Sequence, residues 1–184
     1  MKPLSKISDQ NGTDISYQNI WERQVFPSWS RINIGAKERG IPLVLDLCRT
    51  MKGPFSILYV LTVSRLGNET ARYQSSETIS YDNLELFLYT FQEFFEQDGR
   101  HHIWVSSQAG ECQFIIDNHN TIYAYGDLDS FEVSLRSSGF TEGEIELPYP
   151  HQHHYHPEFD SSEDDVLNYW AWIKSSLQPE DNPR

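Results

Sequence analysis

The clearest pattern in the chain is helical. From Ser80 onward, Leu84, Phe87, Leu88, Phe91, Phe94 and Phe95 recur at three- and four-residue intervals, the stripe of a helix with one buried face. Ser80 stands where an N-cap belongs, Asp82 and Glu85 lie early, and Gly99 ends the run. Asp127 heads a second helix that turns Leu128, Phe131 and Leu135 inward, carries Arg136 late and stops at Gly139. Ser161 or Ser162 caps a last helix with a face of Val166, Tyr169, Trp170, Ile173 and Leu177. In 41–51, Pro42 suits a first turn and Leu43, Leu47 and Met51 fall four apart, which favours helix over a strand enclosing Asp46.

The other pattern has period two. Phe55 to Val63 is rich in β-branched and aromatic residues, and Leu66-Gly67-Asn68 turns it back into Glu69 to Ser75. Three short strands follow the phenylalanine helix: His101 to Ser106, Glu111 to Asp117 and Thr121 to Tyr125. Links as short as Gln108-Ala109-Gly110 and Asn118-His119-Asn120 join antiparallel neighbours, so these three form a meander. Cys112, Phe114 and Ile116 share one face of the middle strand. Phe140 to Leu147 reads as one more strand, with Glu142, Glu144 and Glu146 outward. Around Tyr17, Ile20 and Trp21 the segment 15–34 reads as an irregular arm or short helix that Pro27 interrupts. The expected fold is α+β: a mostly antiparallel sheet of about five to six strands with helices packed on one face. Residues 1–14 are polar and patternless and are expected to be loose, 15–178 to form a single domain, and 179–184 a polar tail.

Composition adds a core and a charge gradient. Ten Phe, ten Tyr and five Trp in 184 residues supply buried area that the modest aliphatic content does not. The formal net charge is −13: residues 1–92 carry ten Lys/Arg against nine Asp/Glu, and residues 93–184 carry four against eighteen. Such a field repels phosphate backbones and anionic lipid, so neither nucleic acid nor a membrane is an expected partner. A basic protein or a cation is the natural complement. The opening MKPLSKIS has no apolar run behind it, and the longest apolar stretch, Ile57 to Val63, cannot span a bilayer, so a cytoplasmic location is expected. In that compartment Cys48 and Cys112 read as reduced thiols, and the sequons at Asn11 and Asn68 as chance.

One stretch is chosen for chemistry. Four of seven histidines fall within Pro148-Tyr149-Pro150-His151-Gln152-His153-His154-Tyr155-His156-Pro157. In an extended chain His151 and His153 face one way and His154 and His156 the other. Each pair can chelate one zinc or other transition ion, and no other cofactor is expected. A zinc site needs four ligands, or three and water, for which Glu158, Asp160 or Glu163, or His101, His102 or His119 from the sheet, are candidates. The competing reading is a rigid Pro/His/Tyr connector with hydrogen-bonded imidazoles. Cysteine–histidine catalysis lacks a local signature, and Cys112 sits on an apolar strand face. Asp127, Asp129, Glu163, Asp164 and Asp165 lie at helix starts, where the macrodipole favours acids.

The leading expectation is a non-enzymatic, acidic interaction protein that captures a basic protein partner. Tyr149, Tyr155, Glu158, Phe159 and Asp160 are the candidate partner surface, aromatic anchors within an acidic field. In composition, though in no motif, the chain resembles small acidic immunity proteins that neutralise basic toxins. The alternative is a metal-binding protein or metal-dependent hydrolase using His151, His153, His154 and His156.

Overall fold

The period-two segments close into one large sheet. The computed structural model describes residues 4–38 and 40–181. The strands of the first half are β1 (Ile7–Asp9), β2 (Ile20–Val25), β3 (Ser30–Gly35), β4 (Phe55–Leu61) and β5 (Ala71–Ser75). Those of the second half are β6 (His101–Ser107), β7 (Cys112–Ile116), β8 (Thr121–Gly126), β9 (Thr141–Glu142), β10 (His151–His153) and β11 (Trp172–Ser175). The helices are α1 (Gly40–Arg49), α2 (Tyr81–Thr90), α3 (Gln92–Gln97), α4 (Leu128–Ser137) and α5 (Asp160–Tyr169).

Nine strands run in the order β11-β5-β4-β6-β7-β8-β3-β2-β9, with β1 and β10 forming a separate two-stranded ribbon. The α+β class is as expected, but the sheet is larger than five or six strands and mixed, because β9 runs parallel to β2. The extra strands come from segments read otherwise. The supposed arm 15–34 is the antiparallel hairpin β2–β3, with Pro27 in the connection closed by Phe26 N–H donating to Trp29 O at 2.9 Å. The strand expected over 140–147 is only two residues long; beyond Gly143, whose N–H reaches Trp21 O, the chain leaves the sheet.

The last helix also differs. It begins at Asp160 without a side-chain cap from Ser161 or Ser162, and it ends at Tyr169, where Trp170 is extended. Trp172 and Ile173 belong instead to β11, which pairs with β5 and leaves Ile173 exposed. The Trp172 indole N–H donates to Val166 O at 3.0 Å, serving a carbonyl near the helix end. The phenylalanine helix breaks in two at Phe91, whose backbone leaves the helical region. Ser80 is its N-cap as expected, accepting from Asn83 N–H, and Asp127 caps α4 through Ser130 N–H. The helix reading of 41–51 corresponds to α1.

The core lies on the face of the sheet that the helices cover. Tyr59 of β4 meets Phe95 of α3, Phe114 of β7 meets Phe131 of α4, and Phe87 of α2 stacks on Trp170 at 4.4 Å. No helix among the described residues is long and apolar enough to cross a membrane.

Two long-range links frame the histidine connector. The ribbon β1–β10 builds residues 7–9 of the supposedly loose N-terminus into the fold, and Lys6 is buried beside it. It passes close to Gly99: the Gly99 N–H donates to His154 O, and His154 N–H to Lys6 O. A Cβ on Gly99 would lie 3.2 Å from Lys6 O and 3.3 Å from His154 O, so this passage favours a residue without a side chain. The second link is Arg100, fully buried, with all five guanidinium N–H groups used. Nε and Nη2 hold both oxygens of Asp98, Nη1 holds Asp160 and Glu163, and Nη2 also reaches His156 O. Replacing Arg100 by Met strands two buried carboxylates, Asp98 and Glu163, and is expected to cost about 3–5 kcal/mol in urea unfolding. Arg100→Lys, lacking the planar fork, is expected to recover only part of that loss.

Candidate metal centre

The site is built from a turn and a strand. At the β7–β8 turn, Asp117 Oδ1 accepts from the backbone N–H of His119 and of Thr121, each at 2.9 Å, and Asn120 takes a left-handed φ of +62°. This Asx-type turn fixes the His119 backbone. Opposite it, β10 lies antiparallel to β1 with His153 across from Ile7 and His151 across from Asp9. The period of two turns His151 and His153 to the same side, towards His119.

The three rings form a near-equilateral triangle, with centroids 4.9, 4.8 and 5.1 Å apart. One donor nitrogen from each lies within 4.8 Å of the others, and each residue is half-buried. The outer hydrogen bonds assign the tautomers. His119 Nδ1 lies 3.0 Å from Asp117 Oδ2, and His151 Nδ1 lies 2.9 Å from Pro148 O. With Asp117 ionised, both acceptors lack a proton to give, so each Nδ1 carries the hydrogen, and in the neutral ring each Nε2 presents a lone pair. Those two Nε2 atoms face each other at 3.1 Å. Two neutral imidazoles in this pose repel unless a proton or a cation stands between them. Two nitrogens bound to one tetrahedral zinc at ~2.0–2.1 Å would sit roughly 3.3–3.4 Å apart. The observed spacing is close to that of a shared ion.

Charge and burial around the triangle act on Asp117 and on His153. Burial opposes ionisation of Asp117, but His119, with further help from His102, outweighs it and holds the carboxyl below its ordinary range. The Tyr123 hydroxyl adds a long hydrogen bond to Asp117 Oδ2, and the Lys6 ammonium donates to the Asp117 carbonyl at 3.0 Å. His153 has no hydrogen-bond partner at either ring nitrogen among the described residues. Burial, and then the neighbouring His119 and His151, push its pKa down to about 4.

The four histidines proposed from sequence therefore divide as their alternation implies. His151 and His153 join the centre. His154 Nε2 meets Ser8 Oγ and His156 Nε2 meets Ser5 O, each at 2.9 Å, so these two tie the connector to the N-terminal segment. Of the sheet histidines, His119 arrives. His101 is enclosed by Phe94, Phe95 and Tyr59, and burial holds it neutral. Of the acids suggested as further ligands, Asp160 and Glu163 belong to the Arg100 cluster and Glu158 is exposed. Sequence reasoning missed Asp117 and Pro148 as the groups that orient the ligands; the Asp-x-His spacing in a tight turn was the available signal.

The other candidates have structural roles. Cys48 and Cys112 are buried free thiols whose mutual contact raises the Cys48 thiol and lowers that of Cys112, while burial opposes ionisation of both. Asp127 caps α4 and Asp129 pairs with Arg23. Of the candidate partner surface, Phe159 lies in the core against Phe94, and Asp160 is held by Arg65 and Arg100. Tyr155 is half-buried, which leaves Tyr149 and Glu158 exposed.

No protein-family model matches the chain, and the searches of curated proteins and of solved structures returned no match. The functional reading accordingly rests on the site itself.

The His153 ring supplies a pH test. An unfolded imidazole ionises near 6.5 and this one near 4, so between those values the unfolded chain binds more protons. The stabilisation from this group is complete above about pH 6.5 and is lost as pH falls towards 4. In metal-stripped protein, ring proton shifts of His153 are expected to titrate near pH 4 rather than 6.5. His153→Gln is expected to flatten the dependence of stability on pH across that window.

Proposed function

We propose that this protein binds one transition-metal ion of the zinc class through His119, His151 and His153. The observation that carries this reading is the pair of Nε2 atoms facing each other at 3.1 Å, with a third imidazole beside them whose nitrogens have no partner among the described residues. Neutral imidazole suits zinc, copper and nickel. The outer groups are those a histidine ligand uses: a carboxylate behind His119 and a backbone carbonyl behind His151. An acidic chain also raises the local concentration of cations. Capture of a basic protein, the reading that composition favours, rests on net charge and on an exposed Tyr149 and Glu158. Metal binding has the more specific geometry.

Tag-free protein titrated with Zn²⁺ in a calorimeter is expected to bind one ion per chain. Removing His119, His151 or His153 singly, as Gln, should weaken binding by more than the ~10–100-fold expected for Asp117→Asn, which removes only an orienting partner. His154→Gln and His156→Gln are expected to leave the affinity within a few-fold. Saturation at about 100 times the dissociation constant should stabilise the fold by about 2.7 kcal/mol, an increment that chelation removes. Equal loss from all four connector histidines, or no binding by the unaltered chain, would refute the assignment.

A further inference from the structure

We propose that the ion held by His119, His151 and His153 keeps one coordination position open to solvent and binds a small anion there, a carboxylate or an inorganic oxyanion. This rests on the metal-binding reading above and extends it from holding an ion to presenting a reactive or ligand-capturing one.

The first observation is the donor count. Among the described residues the cluster holds three ligand groups, not four. The nearest carboxylate, Asp117, is spent: Oδ1 takes the His119 and Thr121 amides, and Oδ2 takes the His119 ring and the Tyr123 hydroxyl. Asp98 is occupied on both oxygens by Arg100 and by the His156 N–H. His154 and His156 are held by Ser8 and Ser5 on the other side of the connector. Structural zinc sites are closed by four protein ligands, whereas three protein ligands leave a place for water or substrate.

The second observation is access. Each ligand residue keeps part of its surface exposed, although both ring nitrogens of His153 are themselves shielded from solvent. Tyr149, 87% exposed, stands beside His151 with ring centroids 6.4 Å apart, at the rim of the triangle. The proposed anion would approach from that side.

The third is charge. Three neutral imidazoles leave the ion's two positive charges undiminished, where thiolate ligands would have cancelled them. Asp117 returns a single negative charge from behind His119, and the Lys6 ammonium sits against the Asp117 carbonyl. The centre is therefore a local positive point on an acidic protein, and what it lacks is an anion. A bound ion in such a position polarises the oxygen of its ligand or of a water molecule.

The test uses Co²⁺ as probe ion in the metal-stripped full chain, followed by its visible absorption bands, which report coordination number. Azide, acetate and phosphate are then titrated against the Co²⁺-loaded protein. Each anion is expected to change the bands hyperbolically to a one-to-one end point, and the change should be absent in His153→Gln, used as the unloaded control. A Co²⁺ spectrum that forms stoichiometrically but stays unchanged with all three anions would overturn the open position while leaving metal binding intact. Failure of Co²⁺ to bind at all would overturn both.

Discussion

The buried guanidinium of Arg100 is the constraint on which the arrangement of the second half depends. It stands at the head of β6 and binds Asp98 before it, His156 O in the connector, and Asp160 and Glu163 on α5. An ion cluster of this kind is poor at adding net stability but severe when broken, because each partner left behind is a charge without water. Its geometric effect is larger. By fixing the exit of the connector through His156, and the Asp98 contact with the His156 amide, it sets where the preceding residues can lie. The ribbon β1–β10 fixes them from the other side.

Between these two anchors the histidines sort by strand geometry alone. Ribbon pairing to β1 makes the connector extended, and extension sends odd and even positions to opposite sides. His154 and His156 become fasteners to the N-terminal segment, while His151 and His153 face the β7–β8 turn. The turn supplies His119 already oriented by Asp117. A cluster of three imidazoles from two distant segments thus arises without any contiguous metal signature, which explains why spacing rules do not detect it.

Much of the architecture was legible in the chain. The meander β6–β7–β8 follows from three alternating segments with four-residue links, and α1, α2 and α4 from stripe periodicity and caps. Errors arose where a short aromatic segment fits either period. Tyr17, Ile20 and Trp21 suggest a helix face, yet Trp21 is buried as part of a hairpin that fills the sheet beside β8. Trp170, Ile173 and Leu177 continue the stripe of α5 on paper, but β5 offered an open edge whose backbone groups needed partners. In both places tertiary pairing outweighed local preference.

The same division holds for the site. By itself the sequence determined that imidazoles concentrate in the proline-fenced connector, and that His151 and His153 could not act with His154 and His156 on one face, because the period of an extended chain is a local property. Only the tertiary structure decided which pair meets a third imidazole. His119 is 32 positions from His151, and nothing local to either segment records that β10 docks on β1 against the β7–β8 turn. That choice belongs to long-range burial and ion pairing, through Lys6, Gly99 and Arg100, and is made when the sheet closes.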